Sequence, residues 1–118
     1  MIEVVGFLRD SEREDLHAVQ ALIARDGARL PERRAHLAPR ERGYLAADRY
    51  ELLWDFATLR EELLWTLEFA GDEWDHAGVH PYRGAVSLSA YVHEINERDL
   101  EAMWSLRRLR AAAAAGVR

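Results

Sequence analysis

Three stretches in which apolar residues recur at helical spacing, separated by two stretches rich in Gly and Pro, constrain this chain more than any other feature. In the first, Val5, Leu8, Leu16, Val19 and Ile23 fall on one stripe, and Asp26-Gly27 supplies a stop. That pattern predicts a helix from about residue 2 to 26. In the second, Leu52, Phe56, Leu59, Leu63 and Leu67 form a clean stripe that begins near Ala46 or Ala47 and ends at Gly71. Leu53, Ala57, Leu64, Trp54 and Trp65 widen this surface beyond one face, so the second helix is expected to be central and to meet neighbours on two sides. In the third, Ser87 offers an N-cap, and Leu88, Tyr91 or Val92, Ile95, Met103, Leu106 and Leu109 run on to the Ala111–Ala115 tract. This is the longest predicted helix, and its Ala tract is a strong helix former that buries little.

The segments between them read differently. Residues 27–43 hold Gly27, Pro31, Pro39 and Gly43 and are expected to form an irregular surface connection with room for a helical turn. Residues 71–86 hold Gly71, Gly78, Pro81 and Gly84 and are expected to form a compact loop closing with a short extended piece, Ala85-Val86. Strand patterns are otherwise nearly absent. At 118 residues there is room for one core, so residues 1–118 are read as a single all-α domain, an up-and-down bundle of three long helices. Bundles of this kind normally have four. The face left over is expected to be covered by a second copy of the chain, making a homodimer.

Composition narrows the chemistry. Without Cys there is no thiolate metal site, iron–sulfur cluster or catalytic thiol. No Gly-x-Ser-x-Gly turn, phosphate-binding Gly loop or Schiff-base Lys is available, because every one of the 16 cations is Arg. A net charge of −5 opposes nucleic-acid binding. Arg107, Arg108, Arg110 and Arg118 are better read as complementing a helix C-terminus than as a phosphate-binding patch. No segment reaches the ~20 apolar residues of a membrane span and no basic region precedes an apolar block at the N-terminus, so a cytoplasmic location with no membrane partner is expected.

Two charges interrupt the apolar stripes. Glu12 stands between Leu8 and Leu16, and Asp99 between Ile95 and Met103. A charge in such a place must be paired or at a rim. Among the histidines, His76 and His80 share a loop with Asp75, a segment without the fixed geometry a zinc site needs, and His80 is expected to cap that loop by hydrogen bonding. His93 with Glu97 would make half a bundle metal site but has no mate on the first helix; His17 and His36 complete the set. Trp54 and Trp65 are eleven residues, hence three helical turns, apart on one side and are predicted to belong to an interface.

Three segments carry a family likeness. Glu3-Val4-Val5-Gly6-Phe7-Leu8-Arg9-Asp10-Ser11-Glu12, the loop Gly78-Val79-His80-Pro81-Tyr82-Arg83-Gly84-Ala85-Val86-Ser87-Leu88, and Arg98-Asp99-Leu100-Glu101-Ala102-Met103 follow one another in an order and spacing that resemble the DinB-like superfamily of four-helix-bundle metalloenzymes. The resemblance implies a divalent metal held by one His on the first of these helices and two His on the last. Here those positions are Phe7, Arg98 and Ala102. Phe and Ala have no donor atom, and Arg cannot offer a lone pair. A guanidinium within about 4 Å of a dication would cost roughly 8 kcal/mol at an effective dielectric of 20. The resemblance thus implies a degenerate site with no metal or other cofactor, and Glu12 or Asp10 is expected to pair with Arg98 across the former metal cavity. The alternative is a solvated rim, or an Arg98 bonded only to Glu94. Such family members also begin with a helix before this first segment, so either the protein starts upstream of Met1 or self-association covers the open face. The function expected is a non-catalytic homodimeric or partner-binding module. The alternative is a divergent enzyme of the thiol-dependent transferase type, binding a small ligand in the bundle cleft.

Overall fold

A computed structural model describes residues 2–31 and 44–116. Three α-helices dominate: α1 (Ile2–Ala24), α2 (Arg49–Glu68) and α3 (Leu88–Ala114). Short 3₁₀ turns at Tyr44–Ala46 and Asp72–Asp75 and a two-stranded antiparallel hairpin, β1 (Ala77–His80) with β2 (Gly84–Ser87), complete the described chain. No described helix is long and apolar enough to cross a membrane. The expected Pro39, Gly43 and His36 positions lie outside the described residues, as does Arg118.

Local chemistry explains the boundaries. Asp48 caps α2 by accepting the Tyr50 N–H at 2.8 Å, so the helix begins after the 3₁₀ turn and not at Ala46 or Ala47. Ser87 caps α3 as its position predicts, its hydroxyl accepting the Ala90 N–H at 3.1 Å. Helix α1 stops at Ala24, two residues before the predicted end, because Gly27 takes φ +83° and turns the chain back along β1.

Where a short extended piece at Ala85-Val86 is expected, the structure has a full hairpin. Ala77 pairs with Ser87 and His80 with Gly84, leaving a three-residue turn at Pro81-Tyr82-Arg83. Its other edge is covered, since Leu30 N–H donates to Val79 O at 2.9 Å and Val79 N–H to Ala28 O at 2.7 Å. This approach is so close that a Cβ on Gly78 would lie 2.8 Å from Ala28 O. Strands of four residues are too short for a period-two pattern to emerge from the sequence, which is why the hairpin was hidden.

The packing order also departs from expectation. Helix α1, not α2, is central, and both other helices pack on it. It buries eleven residues where α2 buries only Leu52 and Leu63, because small or paired residues such as Gly6, Ser11 and Ala18 let neighbours approach on more than one side. The ring of Tyr44 rests on Gly6 so closely that a Cβ there would meet it at 2.6 Å. The apolar core gathers at the hairpin end, where Leu16, Val19 and Leu22 meet Leu63, Val86, Leu88, Tyr91 and Ile95. Towards the opposite end, apolar packing gives way to charge.

Candidate functional site

One face of α1 reads Leu8, Glu12, Asp15, Val19, Leu22, steps of three and four that align all five side chains. Glu12 and Asp15 therefore sit in the middle of an apolar row, and both are fully buried. Removing two carboxylates from water costs several kcal/mol each unless they are paired. The pairing comes from the other two helices at the same level.

Arg98 of α3 reaches both acids. Its Nη2 donates to Glu12 Oε1 at 2.8 Å and its Nη1 to Asp15 Oδ2. Tyr91, two turns earlier on α3, donates its hydroxyl to the other oxygen of Asp15 at 2.9 Å. Arg60 of α2 donates Nη2 to Glu12 Oε1 at 2.9 Å and pairs through Nη1 with Asp99 Oδ2 at 2.9 Å. Asp99 Oδ1 also accepts from Nη2 of Arg98 at 3.3 Å. The network links all three helices through three carboxylates and two guanidinium groups. Hydrogen bonding to Glu12 holds the Arg60 guanidinium above its ordinary pKa; burial opposes this and Asp99 reinforces it. The Nε of Arg98 is buried without a hydrogen-bond partner among the described residues.

On the far side of Arg98 lies a cavity of about 380 Å³ lined by Glu3, Val4, Phe7, Arg98, Glu101, Ala102 and Ser105. Phe7, Arg98 and Ala102, separated by up to 95 positions in the chain, thus border one space. At Phe7, Arg98 and Ala102 this lining offers a metal no ligand, and Glu3 and Glu101 are two carboxylates without a third. Phe7 and Ala102 lack donor atoms, and the third position is a permanent cation. Among the described residues no group of three His, Asp or Glu side chains is arranged to hold an ion.

Other candidate residues separate from this centre. Asp10 does not join Arg98. It is buried on a neighbouring face of α1, accepting from Arg9 Nε at 2.8 Å and from the Tyr44 hydroxyl. Glu94 is likewise engaged elsewhere, with Arg83 at 2.8 Å, so Arg98 bonded only to Glu94 is not what forms. His80 Nδ1 accepts the Tyr82 N–H at 3.1 Å within the hairpin turn, and His76 Nδ1 lies 2.7 Å from the Leu22 carbonyl. His93 and Glu97 pair at 3.0 Å on the exposed side of α3. Trp54 and Trp65 stand exposed on α2.

Sequence reasoning missed Asp15, Arg60, Tyr91 and Tyr44. For two of them a signal exists. Asp15 sits three residues after Glu12 on the same stripe, and Arg60 falls between Phe56 and Leu63 at steps of four and three. Charge at core spacing on all three helices marks a buried network. Compared with protein-family models, curated proteins and solved structures, the chain matches none.

Proposed function

We propose that this chain is a metal-free, DinB-like helical module that acts by association, as a homodimer or on a protein partner, and not by catalysis. The observation that carries the reading is Arg98. Its guanidinium is clamped by Glu12 and Asp15 on the wall of the cavity that Phe7 and Ala102 also line. A fixed positive charge there takes over the cross-linking a bound cation would give a bundle, and it repels such a cation. Metal analysis of protein purified without a histidine tag tests this. Substoichiometric zinc and nickel are expected; one equivalent of either would refute it. The variant combining Phe7→His, Arg98→His and Ala102→His tests the lineage. Zinc or nickel binding by a variant whose helical circular dichroism is intact supports inherited geometry, and its absence shows that the three positions do not converge on one ion.

A second reading, a divergent enzyme binding a small ligand, draws on the cavity itself, whose 380 Å³ lies within the roughly 300–1,000 Å³ typical of ligand sites. Calorimetric titration with small thiols separates the readings. Heat of binding that disappears in Ala102→Trp, which fills the cavity, favours the enzyme; no heat in either protein favours the association module.

A further inference from the structure

Helices α2 and α3 both rest on α1 but leave a channel between them. Three cavities run along it, each sharing a wall residue with the next. The first, about 310 Å³, includes Leu53 and Leu106; the second, about 220 Å³, includes Arg60 and Asp99; the third, about 150 Å³, includes Leu67 and Val92. These pairs show that the helices are antiparallel. The fourteen steps from Leu53 to Leu67 make the channel about 21 Å long at 1.5 Å per residue. Its walls are mostly apolar, with Arg107 and Arg110 at one end and Asn96 towards the other, and the charged pair that lines it midway, Arg60 with Asp99, is already joined at 2.9 Å.

Both rims continue the apolar surface outward. Around α2, Leu53 and Leu64 border the channel, and Trp54 and Trp65 form the next column, about 100° further round. Around α3, Met103 borders the channel, followed by Leu100 and Trp104. These seven side chains are all between about half and three quarters exposed, as is Tyr50 at the start of α2. Four rings of ~200 Å² at about two thirds exposure and four aliphatic side chains at about half present on the order of 700 Å² of apolar surface. The largest patch on an ordinary monomer is about 300–600 Å². A standard interface takes about 800 Å² from each partner.

We infer that this channel and its rims seat a second copy of the chain, the two copies meeting to form a four-helix bundle from α2 and α3 of each. The inference rests on the reading that the protein works by association. It names the surface and the partner. Charge selects the orientation. The exposed arc of α2 carries Glu61 and Glu68, so placing α2 against α2 of the other copy would set like charges face to face. The end of α3 carries Arg107 and Arg110, which line or border the channel at the level of Leu53. With a two-fold axis running along the channel, α2 of one copy faces α3 of the other, neighbouring helices are all antiparallel, and those arginines come to the level of the Tyr50 and Trp54 rings, where cation–π contact is favourable. The same patch is used by both copies, so the assembly closes at two.

Light scattering of the purified chain tests the inference. A mass of twice 13.6 kDa is expected at about 10 µM. Leu64→Glu and Met103→Glu alter side chains that are already about half exposed, so the single chain keeps its helical circular dichroism. Each would bury a carboxylate in the interface and should weaken association at least ~100-fold, giving monomers at that concentration. Tyr82→Glu, in the hairpin turn, should leave the dimer intact. A wild-type chain monomeric at about 100 µM, or an assembly larger than a dimer, overturns the inference. A dimer that survives both channel substitutions also overturns it while leaving association as the mode of action standing. Stoichiometric metal in the same preparation would instead overturn the functional reading.

Discussion

Replacing Arg98 by methionine keeps much of the aliphatic stem and removes the guanidinium from between Glu12 and Asp15. Breaking a buried pair from one side typically costs about 3–5 kcal/mol, because the partner's charge remains without its counterion. Two contacts reduce the loss here: Glu12 retains Arg60 at 2.9 Å, and Asp15 retains the Tyr91 hydroxyl at 2.9 Å. The lower figure, about 3 kcal/mol, is therefore expected, a fall of roughly 12 °C in Tm at about 4 °C per kcal/mol for a chain of this length. Urea denaturation followed by circular dichroism, with calorimetry alongside, measures it. A second variant fixes the sign. Combining Arg98→Met with Glu12→Leu and Asp15→Leu removes both acids and lets Arg60 keep Asp99, and such apolar replacement is neutral or stabilising in comparable networks. Its stability should return to within about 2 kcal/mol of the native chain, the remaining loss being that of the buried Tyr91 hydroxyl, which no longer has Asp15 as acceptor. A loss below about 1 kcal/mol for Arg98→Met would show that the pair lies in effectively aqueous surroundings. A triple variant less stable than the single one would show that the carboxylates contribute through something other than the guanidinium.

The remaining expectations concern the supports of this centre. Gly6→Ala places a methyl group 2.6 Å from the Tyr44 ring and should cost about 1–3 kcal/mol in the same urea assay, because the ring is wholly buried and has nowhere to move. Ser87→Ala removes the acceptor for the Ala90 N–H and should cost about 1 kcal/mol, with Ser87→Asn restoring most of it. Glu73 is fully exposed, but its own backbone N–H and that of Gly71 hold its carboxyl below the usual range. Because the folded value is lower than the unfolded one, its contribution is present above the unfolded value, near 4.3, and is lost as pH falls through the folded one. The stability gap between the native chain and Glu73→Gln should be widest near pH 5–6 and close on further acidification; a gap that widens with acid would reverse the argument.

Much of the architecture could be read from residue spacing, and the exceptions have physical causes. The helices were legible because apolar residues at steps of three and four persist over 20 or more positions, and the Ser87 cap because a hydroxyl before such a run has one evident use. The rank of the helices was not. Apolar width on α2 suggested centrality, yet that width is exposed, and α1 is central through residues such as Gly6, Ser11 and Ala18 whose value lies in their smallness. The cavity lined by Phe7, Arg98 and Ala102 brings together side chains from α1 and α3 whose meeting apolar spacing alone does not state. Spacing singles out Glu12 and Asp99 and could have singled out Asp15 and Arg60, but which acid meets which cation depends on the axial offset between helices, a quantity no single sequence states.

That offset is what the network itself fixes. Apolar ridges on a helix pack nearly as well after sliding by one turn, about 5.4 Å, whereas a guanidinium shifted that far from its carboxylate leaves buried charge unpaired. Glu12, Asp15, Arg60, Arg98 and Asp99 occupy one level of the bundle, so a one-turn slip of either α2 or α3 along α1 would break contacts of 2.8–3.1 Å at several atoms together. The cost of such a slip exceeds that of a displaced leucine, and register is set here although the apolar core lies mainly at the hairpin end. The same constraint holds the α2–α3 channel at a fixed width, since Arg60 and Asp99 bridge it midway. A network placed at that level therefore contributes less to net stability than to uniqueness, and the surface it fixes is the one on which a second copy would have to close.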